Sequence, residues 1–332
     1  MGNNVFEILK GKEILLTGGC GFIGSEVTKQ LSEIGANVTI IDNLSSGKEE
    51  YIKNFSNVTL IKSELTDKKS LPGLVKDKEY VIDLAALPFI PDSYYIPRKF
   101  FDVNVNATID LAIAVIKEKS AKRFVHISSS EIYGSARYIP MDENHPTIPQ
   151  STYAVSKLAG ERVVFTLYKE HNLPAVVIRP FNSFGPNVTQ PYIIPEIINQ
   201  LLNGNQVTLG NLNSKRDLTY VSDTARGIIL SLVKEGIVGE VLNLGSQRSF
   251  SIKELVDMIS EIMSKDVEIK VDPSRFRPFD VDNLVANFDR ANRLLGWKPE
   301  VSIKDGLSMT VDWLKENGLH INTPYHDQYE LE

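Results

Sequence analysis

Short apolar runs and longer stretches of helical spacing alternate along the first half of the chain. The runs that match buried strands lie at residues 13–17, 37–41, 58–61, 80–84, 123–127 and 175–178. Between the first two runs, apolar residues recur every three or four positions from Ile23 to Ile34, and the same spacing covers residues 100–118. Another helix is predicted to begin near Ser151. Strands and helices that alternate at short intervals predict an α/β fold built on a doubly wound parallel sheet.

A glycine-rich turn joins the first predicted strand to the first helix. Its sequence, Gly18-Gly19-Cys20-Gly21-Phe22-Ile23-Gly24, fits the fingerprint of dinucleotide-binding proteins in two registers. Glycines permit a tight turn and let the backbone approach a pyrophosphate, whose charge then rests on the amides at the helix N-terminus. The pattern is weak by itself, but the flanking strand and helix supply the context that it requires. We therefore predict a Rossmann-type nucleotide-binding unit.

The second predicted strand ends in Asp42, which bears on the choice of cofactor. A carboxylate at this point can accept hydrogen bonds from both ribose hydroxyls of an adenosine, and it would repel a 2′-phosphate. Neither Asn43 nor Leu44 offers a cation to bind that phosphate, although Lys48 is close in sequence. The residues therefore favour NAD over NADP.

Composition narrows the classes of function. With 332 residues, 42% of them hydrophobic, the chain can bury a large core, and its length suggests two domains. The formal charge of −6 is not arranged in blocks, so nothing indicates a nucleic-acid or membrane surface, and an anionic ligand would need a local cluster of cations.

The single Cys20 excludes an internal disulfide and belongs to no cluster of metal-ligating residues. No apolar stretch resembles a signal peptide or a membrane span, so we expect a cytoplasmic protein.

The predicted helix after Ser151 carries a pattern that suits proton transfer. Tyr153 and Lys157 are four residues apart and so lie on one helix face, about one turn from each other. A phenol has a reference pKa of about 10, and a nearby ammonium lowers that pKa because it favours the phenolate. Ser129 follows the strand at 123–127 and can bridge the phenol to a substrate alcohol. We predict that these three side chains act together in catalysis.

Two further polar residues in the first half need interpretation. Asn104 lies near the start of the helix over 100–118, and it suits a ligand contact and a hydrogen bond to a neighbouring loop equally well. His126 lies inside a buried strand, so a packed core histidine is a better interpretation than a catalytic base.

Together these motifs resemble the extended short-chain dehydrogenase/reductases, and in particular their nucleotide-sugar epimerases and dehydratases. The resemblance covers nearly the whole chain. It implies a bound NAD that oxidises a sugar hydroxyl and then returns the hydride, with no net consumption. The cofactor contacts that it implies are Gly18, Gly21, Phe22, Ile23, Gly24, Asp42, Asn43, Glu64, Leu65, Ala85, Ala86, Asn104, Tyr153, Lys157 and Pro180.

The same resemblance implies that a nucleotide sugar is held mainly by the second half of the chain. The implied contacts are Ser130, Asn182, Thr208, Leu209, Arg216, Arg275 and Arg277. Asn182 and the arginines would meet the phosphates, since guanidinium groups match phosphate oxygens, and the strand at 206–210 would present backbone to the base. An alternative for Arg275 and Arg277 is surface pairing with Asp272, Asp280 or Asp282.

The resemblance also predicts the organisation of the chain. An NAD-binding Rossmann domain would span residues 1–180, with segments near 218–235 returning to it, and a smaller nucleotide-sugar-binding domain would span 181–332. The helices at 100–118 and 152–170 would form a four-helix bundle with those of a two-fold mate. Their apolar residues wrap widely around both helices, which agrees with burial on two sides in a homodimer.

The predicted reaction depends on Glu131, which follows Ser129 by two residues. In this group Tyr153 would first take the proton of the sugar C4 hydroxyl, and a carboxylate beside C5 of the resulting ketone opens a route to loss of the C6 hydroxyl. Glu131 stands where 4,6-dehydratases carry their glutamate, although a hydrogen bond to loop backbone is its alternative role. We therefore rank a 4,6-dehydratase first, a C4 epimerase second and a uronate decarboxylase third. A non-catalytic NAD-sensing protein is a remote alternative, because such proteins typically lose the tyrosine or the lysine.

Overall fold

Parallel strands form the central sheet of the protein, and the computed structural model describes residues 5–276, 283–319 and 331. The strands in this part of the chain are β1 (Glu13–Thr17), β2 (Asn37–Asp42), β3 (Val58–Lys62), β4 (Tyr80–Asp83), β5 (Arg123–Ile127), β6 (Ala175–Pro180), β7 (Asn182–Phe184), β8 (Gln206–Leu209), β9 (Lys215–Tyr220), β10 (Val241–Leu244), β11 (Ser249–Ser251) and β12 (Glu268–Val271). Seven of the described strands make the central sheet, in the order β10-β6-β5-β4-β1-β2-β3, and all its pairings are parallel. The predicted Rossmann-type sheet is confirmed.

The order of the strands positions the site. The chain builds outward from β1 through β2 and β3, and then returns to place β4 on the other side of β1. In open α/β sheets, ligands bind beyond the carboxyl ends of the strands at such a switch point. The segments that leave β1 and β4 here are the glycine turn and Leu84-Ala85-Ala86. The crevice between these two segments is therefore the expected place for a dinucleotide.

Helices cover both faces of the central sheet. The described α-helices are α1 (Phe22–Ile34), α2 (Leu71–Val75), α3 (Pro97–Phe101), α4 (Ala107–Glu118), α5 (Thr152–His171), α6 (Ile193–Asn203), α7 (Val221–Val233), α8 (Ile252–Met263), α9 (Asp289–Leu295) and α10 (Ile303–Asn317). Leu31 of α1 and Ile228 of α7 pack on one face, whereas Leu111 of α4 and Val164 of α5 pack on the other. Burial on both faces explains why these strands read as continuous apolar runs. Within the described ranges, none of the helices combines the length and apolar character needed to cross a membrane.

A second core is built from the later part of the chain. There β11, β9 and β7 form a small sheet, and β12 pairs in parallel with β8. The helices α6, α8 and α10 bury apolar residues such as Ile197, Leu255 and Val311 in this core. However, β10 and α7 lie at the central sheet although they come from the same part of the chain. The domain boundary at residue 180 stays a prediction.

The helix predicted over residues 100–118 contains a π-helical turn that the periodicity does not show. The structure has α3, then the π-helical turn Asp102–Asn106, and then α4. Helical spacing of apolar residues continues on both sides of the turn, so the pattern gives no sign of the wider ring. π-Helical turns are rare and are often found at functional sites.

Candidate active site

A cleft of about 1090 Å³ lies at the carboxyl ends of the central strands. The predicted site residues that line it are Gly18, Gly21, Phe22, Ile23, Asp42, Asn43, Glu64, Leu65, Ala85, Ala86, Ser129, Ser130, Glu131, Tyr153, Lys157, Pro180, Asn182, Leu209, Arg216 and Arg275. Gly24, Asn104 and Thr208 are not part of its lining, and Arg277 lies outside the described residues. The cleft therefore brings together predicted residues from both halves of the chain.

The glycine turn is shaped for close approach of backbone to backbone and to a ligand. Gly18 has φ of +71°, and a Cβ at this position would lie 2.9 Å from the Cα of Ala85. A Cβ on Gly24 would overlap the carbonyl oxygen of Gly18, so this glycine allows α1 to pack on the turn. In the described structure no side chain caps the N-terminus of α1, whose first residues Phe22 and Ile23 line the cleft. These features fit a pyrophosphate held by the first amides of the helix.

Asp42 is fixed beside the glycine turn by two backbone groups. Its Oδ2 accepts a hydrogen bond of 2.9 Å from the Cys20 N–H, and its Oδ1 accepts one of 2.8 Å from the Leu44 N–H. Burial raises the pKa of this carboxyl, although the two backbone hydrogen bonds oppose the rise. Each oxygen keeps a second lone pair, so the carboxylate can also accept from ribose hydroxyls. The Lys48 ammonium lies 5.9 Å from the centre of the Tyr51 ring.

Tyr153 and Ser129 converge on one wall of the cleft. Ser129 follows β5 and caps the short helical turn Ser130–Tyr133, because its hydroxyl accepts from the Glu131 N–H at 3.2 Å. Ser151 caps α5 in the same way, with the Ala154 N–H at 3.1 Å, and this places Tyr153 in the first turn of the helix. The Ser129 hydroxyl lies within hydrogen-bonding range of the Tyr153 phenol, and the Glu131 carboxylate is close enough to act on its charge. The arrangement suits proton transfer to and from a bound alcohol.

The pKa of Tyr153 is raised in the protein, whereas the sequence predicted a lowered value. Packing of the protein around the phenol raises its pKa to about 12, the hydrogen bond with Ser129 opposes the rise, and the charge of Glu131 adds to it. Burial likewise lowers the pKa of Lys157 to about 8, against the charges of Asp83 and Glu161. Desolvation thus outweighs the attraction between phenolate and ammonium that the spacing suggested.

The cleft is also lined by predicted phosphate-binding residues, which are Asn182, Arg216 and Arg275. Arg275 does not form the alternative ion pair with Asp272 among the described residues. Its Nη1 instead lies 3.0 Å from Oε1 of Glu196 on α6, because the loop after β12 folds over the end of β8 toward that helix. A bound phosphate would compete with Glu196 for this guanidinium.

Thr208 was predicted to meet the substrate, but a side chain covers its backbone. The Thr208 N–H donates to Oε1 of Gln200 at 2.7 Å, and its carbonyl accepts from Nε2 of the same amide at 3.2 Å. Gln200 also donates to Oε1 of Glu196 at 2.8 Å. The backbone polar groups of Thr208 are therefore already paired within the protein.

Asn104 forms the loop hydrogen bonds that were one of its two predicted roles. Its side-chain oxygen accepts from the Leu87 N–H at 2.9 Å, and its amide donates to the Ser156 hydroxyl at 3.0 Å. Ser156 in turn donates to the carbonyl of Tyr153 at 2.7 Å. The π-helical turn thus connects the loop after β4 to the first turn of α5.

The sequence indicated only one member of a buried polar pair that lies behind the site. His126 was predicted to be a core residue, and it is buried with its Nδ1 2.8 Å from Oδ2 of Asp83. Asp83 is the one charged residue of β4, which could have drawn attention to it. Its partner lies 43 residues away on the neighbouring strand, so local patterns could not pair the two.

The amino-acid sequence matches those of known proteins along nearly the whole chain. Residues 15–310 match the model of a family described as GDP-mannose 4,6 dehydratase. A putative UDP-glucose 4-epimerase of Methanocaldococcus jannaschii is 31% identical, covering 92% of this chain and 99% of that protein. A UDP-N-acetyl-alpha-D-glucosaminuronate decarboxylase of Bacillus cytotoxicus is 30% identical, with 92% and 98% covered. A dTDP-D-glucose 4,6-dehydratase of Homo sapiens is 29% identical, with 92% and 91% covered.

Solved structures agree with this assignment of the fold. An epimerase of Methanothermobacter thermautotrophicus superimposes with a TM-score of 0.90 at 32% identity, over 95% of each chain. The dTDP-glucose 4,6-dehydratase DesIV of Streptomyces venezuelae, solved with NAD and TYD bound, gives a TM-score of 0.84 at 26% identity, over 92% of this chain and 97% of that one.

Proposed function

This chain belongs to the GDP-mannose 4,6 dehydratase family, a branch of the NAD-dependent extended short-chain dehydrogenase/reductases, and on that basis we propose that it is a nucleotide-sugar 4,6-dehydratase. The observation that carries the proposal is the position of Glu131. This carboxylate lines the cleft on the same short turn as Ser129, near enough to Tyr153 to influence its charge.

The first proposed step is removal of the proton from the C4 hydroxyl of the sugar. Tyr153 is the base, and the Ser129 hydroxyl holds the alcohol and the phenol in line. Lys157 supplies a positive charge that stabilises the phenolate. When bound, NAD accepts the hydride from C4 and later returns it to the sugar. The glycine turn, the N-terminus of α1 and Asp42 are the groups that would hold it.

The second step distinguishes a dehydratase from the other members of the family. The C4 ketone acidifies the proton on C5, and Glu131 removes it. The C6 hydroxyl leaves with a proton from Glu131, so one water molecule is lost and the carboxylate is restored. Addition of the hydride at C6 and of a proton from solvent at C5 would complete a 4-keto-6-deoxy sugar.

Two cations of the cleft would bind the diphosphate of the substrate. Arg216 and Arg275 line the cleft, as does Asn182. A guanidinium can donate two parallel hydrogen bonds to phosphate oxygens, which makes these residues suitable for a nucleoside diphosphate.

C4 epimerisation is the second candidate, and similarity to known epimerases favours it. Epimerases are prominent among the similar proteins and structures, with identities of 31% and 32%. Epimerisation would use Tyr153, Ser129 and Lys157 in the same roles and would leave Glu131 without a proton to remove. Uronate decarboxylation ranks third, supported by the 30% identical decarboxylase.

One experiment separates the three reactions. The purified protein is incubated with UDP-, GDP-, CDP- and dTDP-sugars in deuterated water, and the products are separated from the substrate by chromatography and weighed by mass spectrometry. Loss of water with deuterium at C5 supports dehydration. An isobaric product without deuterium indicates C4 epimerisation instead, and loss of carbon dioxide indicates decarboxylation.

We also propose that the protein works as a homodimer through α4 and α5. Large apolar side chains remain exposed along these helices and the preceding α3. They are Phe101, Ile113, Val155 and Phe165. Burial of these side chains against a second copy would remove apolar surface from water.

A further inference from the structure

A row of buried polar side chains lies between the central sheet and α5. Asp83 and His126 are direct neighbours in the pairing of β4 with β5. Both face the helices α4 and α5, because Val81 and Phe124, two residues earlier on each strand, pack in the core on that face. Only 2% of the surface of Asp83 and 1% of that of His126 is exposed. An ionised group in this position is far from water and acts on its neighbours with little screening.

Asp83 is surrounded by hydrogen-bond donors. It accepts from the Thr108 hydroxyl at 2.9 Å and pairs with Nδ1 of His126 at 2.8 Å. The Thr17 hydroxyl lies 3.4 Å from its other oxygen, and this hydroxyl already accepts from the Leu84 and Ala85 N–H groups, so its hydrogen is free to point at Asp83. Burial opposes ionisation of Asp83, but the hydrogen bond and the charge of His126, and then the charge of Lys157 and the hydrogen bond from Thr108, hold its pKa below the ordinary value. The carboxyl is therefore ionised at neutral pH.

His126 orients the Asp83 carboxylate through Nδ1, at 2.8 Å. Its Nε2 is buried without a hydrogen-bond partner among the residues that the structure describes. Asp83 is the carboxylate of this buried row whose charge acts on Lys157.

The α5 helix brings Lys157 to this negative charge. Gly160, less than one turn beyond Lys157, lies against the histidine, since a Cβ on it would be 3.6 Å from Nε2 of His126. Only 4% of the surface of Lys157 is exposed, so its ammonium needs a counter-charge.

The other charged groups around Lys157 do not meet this need fully. Glu161 on α5 also acts on the lysine, but both of its oxygens are engaged by Arg179 of β6, at 2.6 and 2.9 Å. Tyr153 and Glu131 face the cleft, where Tyr153 holds its proton at neutral pH. Within the described structure, Asp83 is thus the buried carboxylate acting on Lys157 that is not held by an arginine.

We propose that Asp83 is a positioning residue, whose carboxylate, oriented by His126, keeps the Lys157 ammonium protonated inside the protein. The ammonium can then donate to the cofactor and stabilise the phenolate of Tyr153. This inference rests on the proposed function only in assigning Lys157 to the cofactor site. It adds a second layer of residues that sets the charge of that lysine.

The test is the pH dependence of NADH binding, followed by the fluorescence of the reduced cofactor, with no sugar present. In wild-type protein the affinity should fall as Lys157 loses its proton near pH 8. In Asp83→Asn that fall should move to lower pH by about one unit or more. Thr108→Val is the matched control, because it removes a hydrogen bond to the same carboxylate and leaves the charge, and its profile should stay close to that of wild type. An unchanged profile in a folded Asp83→Asn protein overturns the proposal.

A second measurement covers the case in which Asp83→Asn does not fold. Lys157→Met removes the positive charge that acts on Asp83, so the pKa of Asp83 should rise in this variant. The melting temperature of the variant relative to wild type should therefore increase as the pH falls and Asp83 takes up a proton. A difference that is constant with pH overturns the proposal. Failure to turn over any nucleotide sugar would contradict the proposed reaction without affecting either result.

Discussion

Arg179 of β6 and Glu161 of α5 form a two-pronged ion pair inside the protein. Nε and Nη2 of the guanidinium lie 2.9 and 2.6 Å from the two carboxylate oxygens, and both side chains are almost fully buried. The remaining Nη1 donates to the Tyr133 hydroxyl at 2.7 Å, which donates in turn to Asn243 of β10. The pair therefore ties α5, which carries Tyr153 and Lys157, to the edge of the central sheet.

Loss of one partner of this pair should strongly destabilise the protein. We expect Glu161→Gln to lower the free energy of unfolding by about 3 to 5 kcal/mol, because it leaves the Arg179 charge buried and unpaired. Chemical denaturation would measure the change. The matched control is Lys253→Ala, which breaks an exposed pair with Asp257 and should cost less than about 1 kcal/mol. Equal effects of the two substitutions would contradict this account of the buried pair.

Catalysis should require Tyr153 without its proton and Lys157 with its proton. Tyr153 must lose a proton to act as a base, so kcat/KM should rise with pH on the acidic side. It should level off above about pH 8, where loss of the Lys157 charge offsets the further ionisation of Tyr153, whose pKa is about 12. A pH profile of kcat/KM, measured with a substrate that the protein converts, would show the rise and the plateau. Tyr153→Phe should reduce kcat by a factor on the order of 10² to 10⁴ or more at every pH, and residual activity with an unchanged profile would exclude Tyr153 as the base.

Glu131→Gln should separate the first step from the second. The amide cannot take the C5 proton, so the sugar is oxidised at C4 and the reaction then stops with reduced cofactor on the protein. Reduced-cofactor fluorescence in single-turnover mixtures would reveal this build-up. Glu170→Gln, a substitution at an exposed position near the end of α5, should turn over normally. Complete dehydration by Glu131→Gln would mean that another group is the C5 base.

The contact between Glu196 and Arg275 should weaken binding of the nucleotide. In Glu196→Gln the guanidinium is released for phosphate, and affinity for a nucleoside diphosphate should increase by up to about fivefold, the value of a partly exposed ion pair. Titration calorimetry with UDP and GDP would measure this change in affinity. Arg275→Gln should have the opposite effect, and tighter binding by that variant would show that this arginine does not meet the phosphates.

The proposed dimer can be tested by placing a charge in its interface. Phe165→Asp should convert a dimer into a monomer in sedimentation at working concentration, since a carboxylate would be buried without a partner. Val238→Asp, which alters an exposed apolar side chain outside α4 and α5, should remain a dimer. Monomeric wild-type protein would contradict the proposal.

The sequence predicted the site residues that lie directly at the end of a strand or at the start of a helix. The glycine turn, Asp42, Ser129 and Tyr153 each follow or begin an element whose periodicity is clear, and parallel strands bring such positions to one edge. Contacts between distant residues were not accessible in this way. The bond from Gln200 to Thr208 and the ion pair of Glu196 with Arg275 depend on how α6 is placed against β8 and the loop after β12.

The pKa of Tyr153 was predicted in the wrong direction for a related reason. The spacing of Tyr153 and Lys157 gives their mutual attraction, but the loss of solvent around both groups depends on every element that packs against them. The π-helical turn was missed because a single wider ring hardly disturbs the spacing of apolar residues around it.

The place of β10 at the edge of the central sheet has a consequence for how the protein is made. A ribosome that has released the first 180 residues has supplied β1 to β6, and the outer edge of β6 then has no neighbour until residues 241–244 emerge. An apolar strand with an open edge is prone to pair with other chains. The nascent chain therefore passes through a period of exposure that ends only when most of its length has been synthesised.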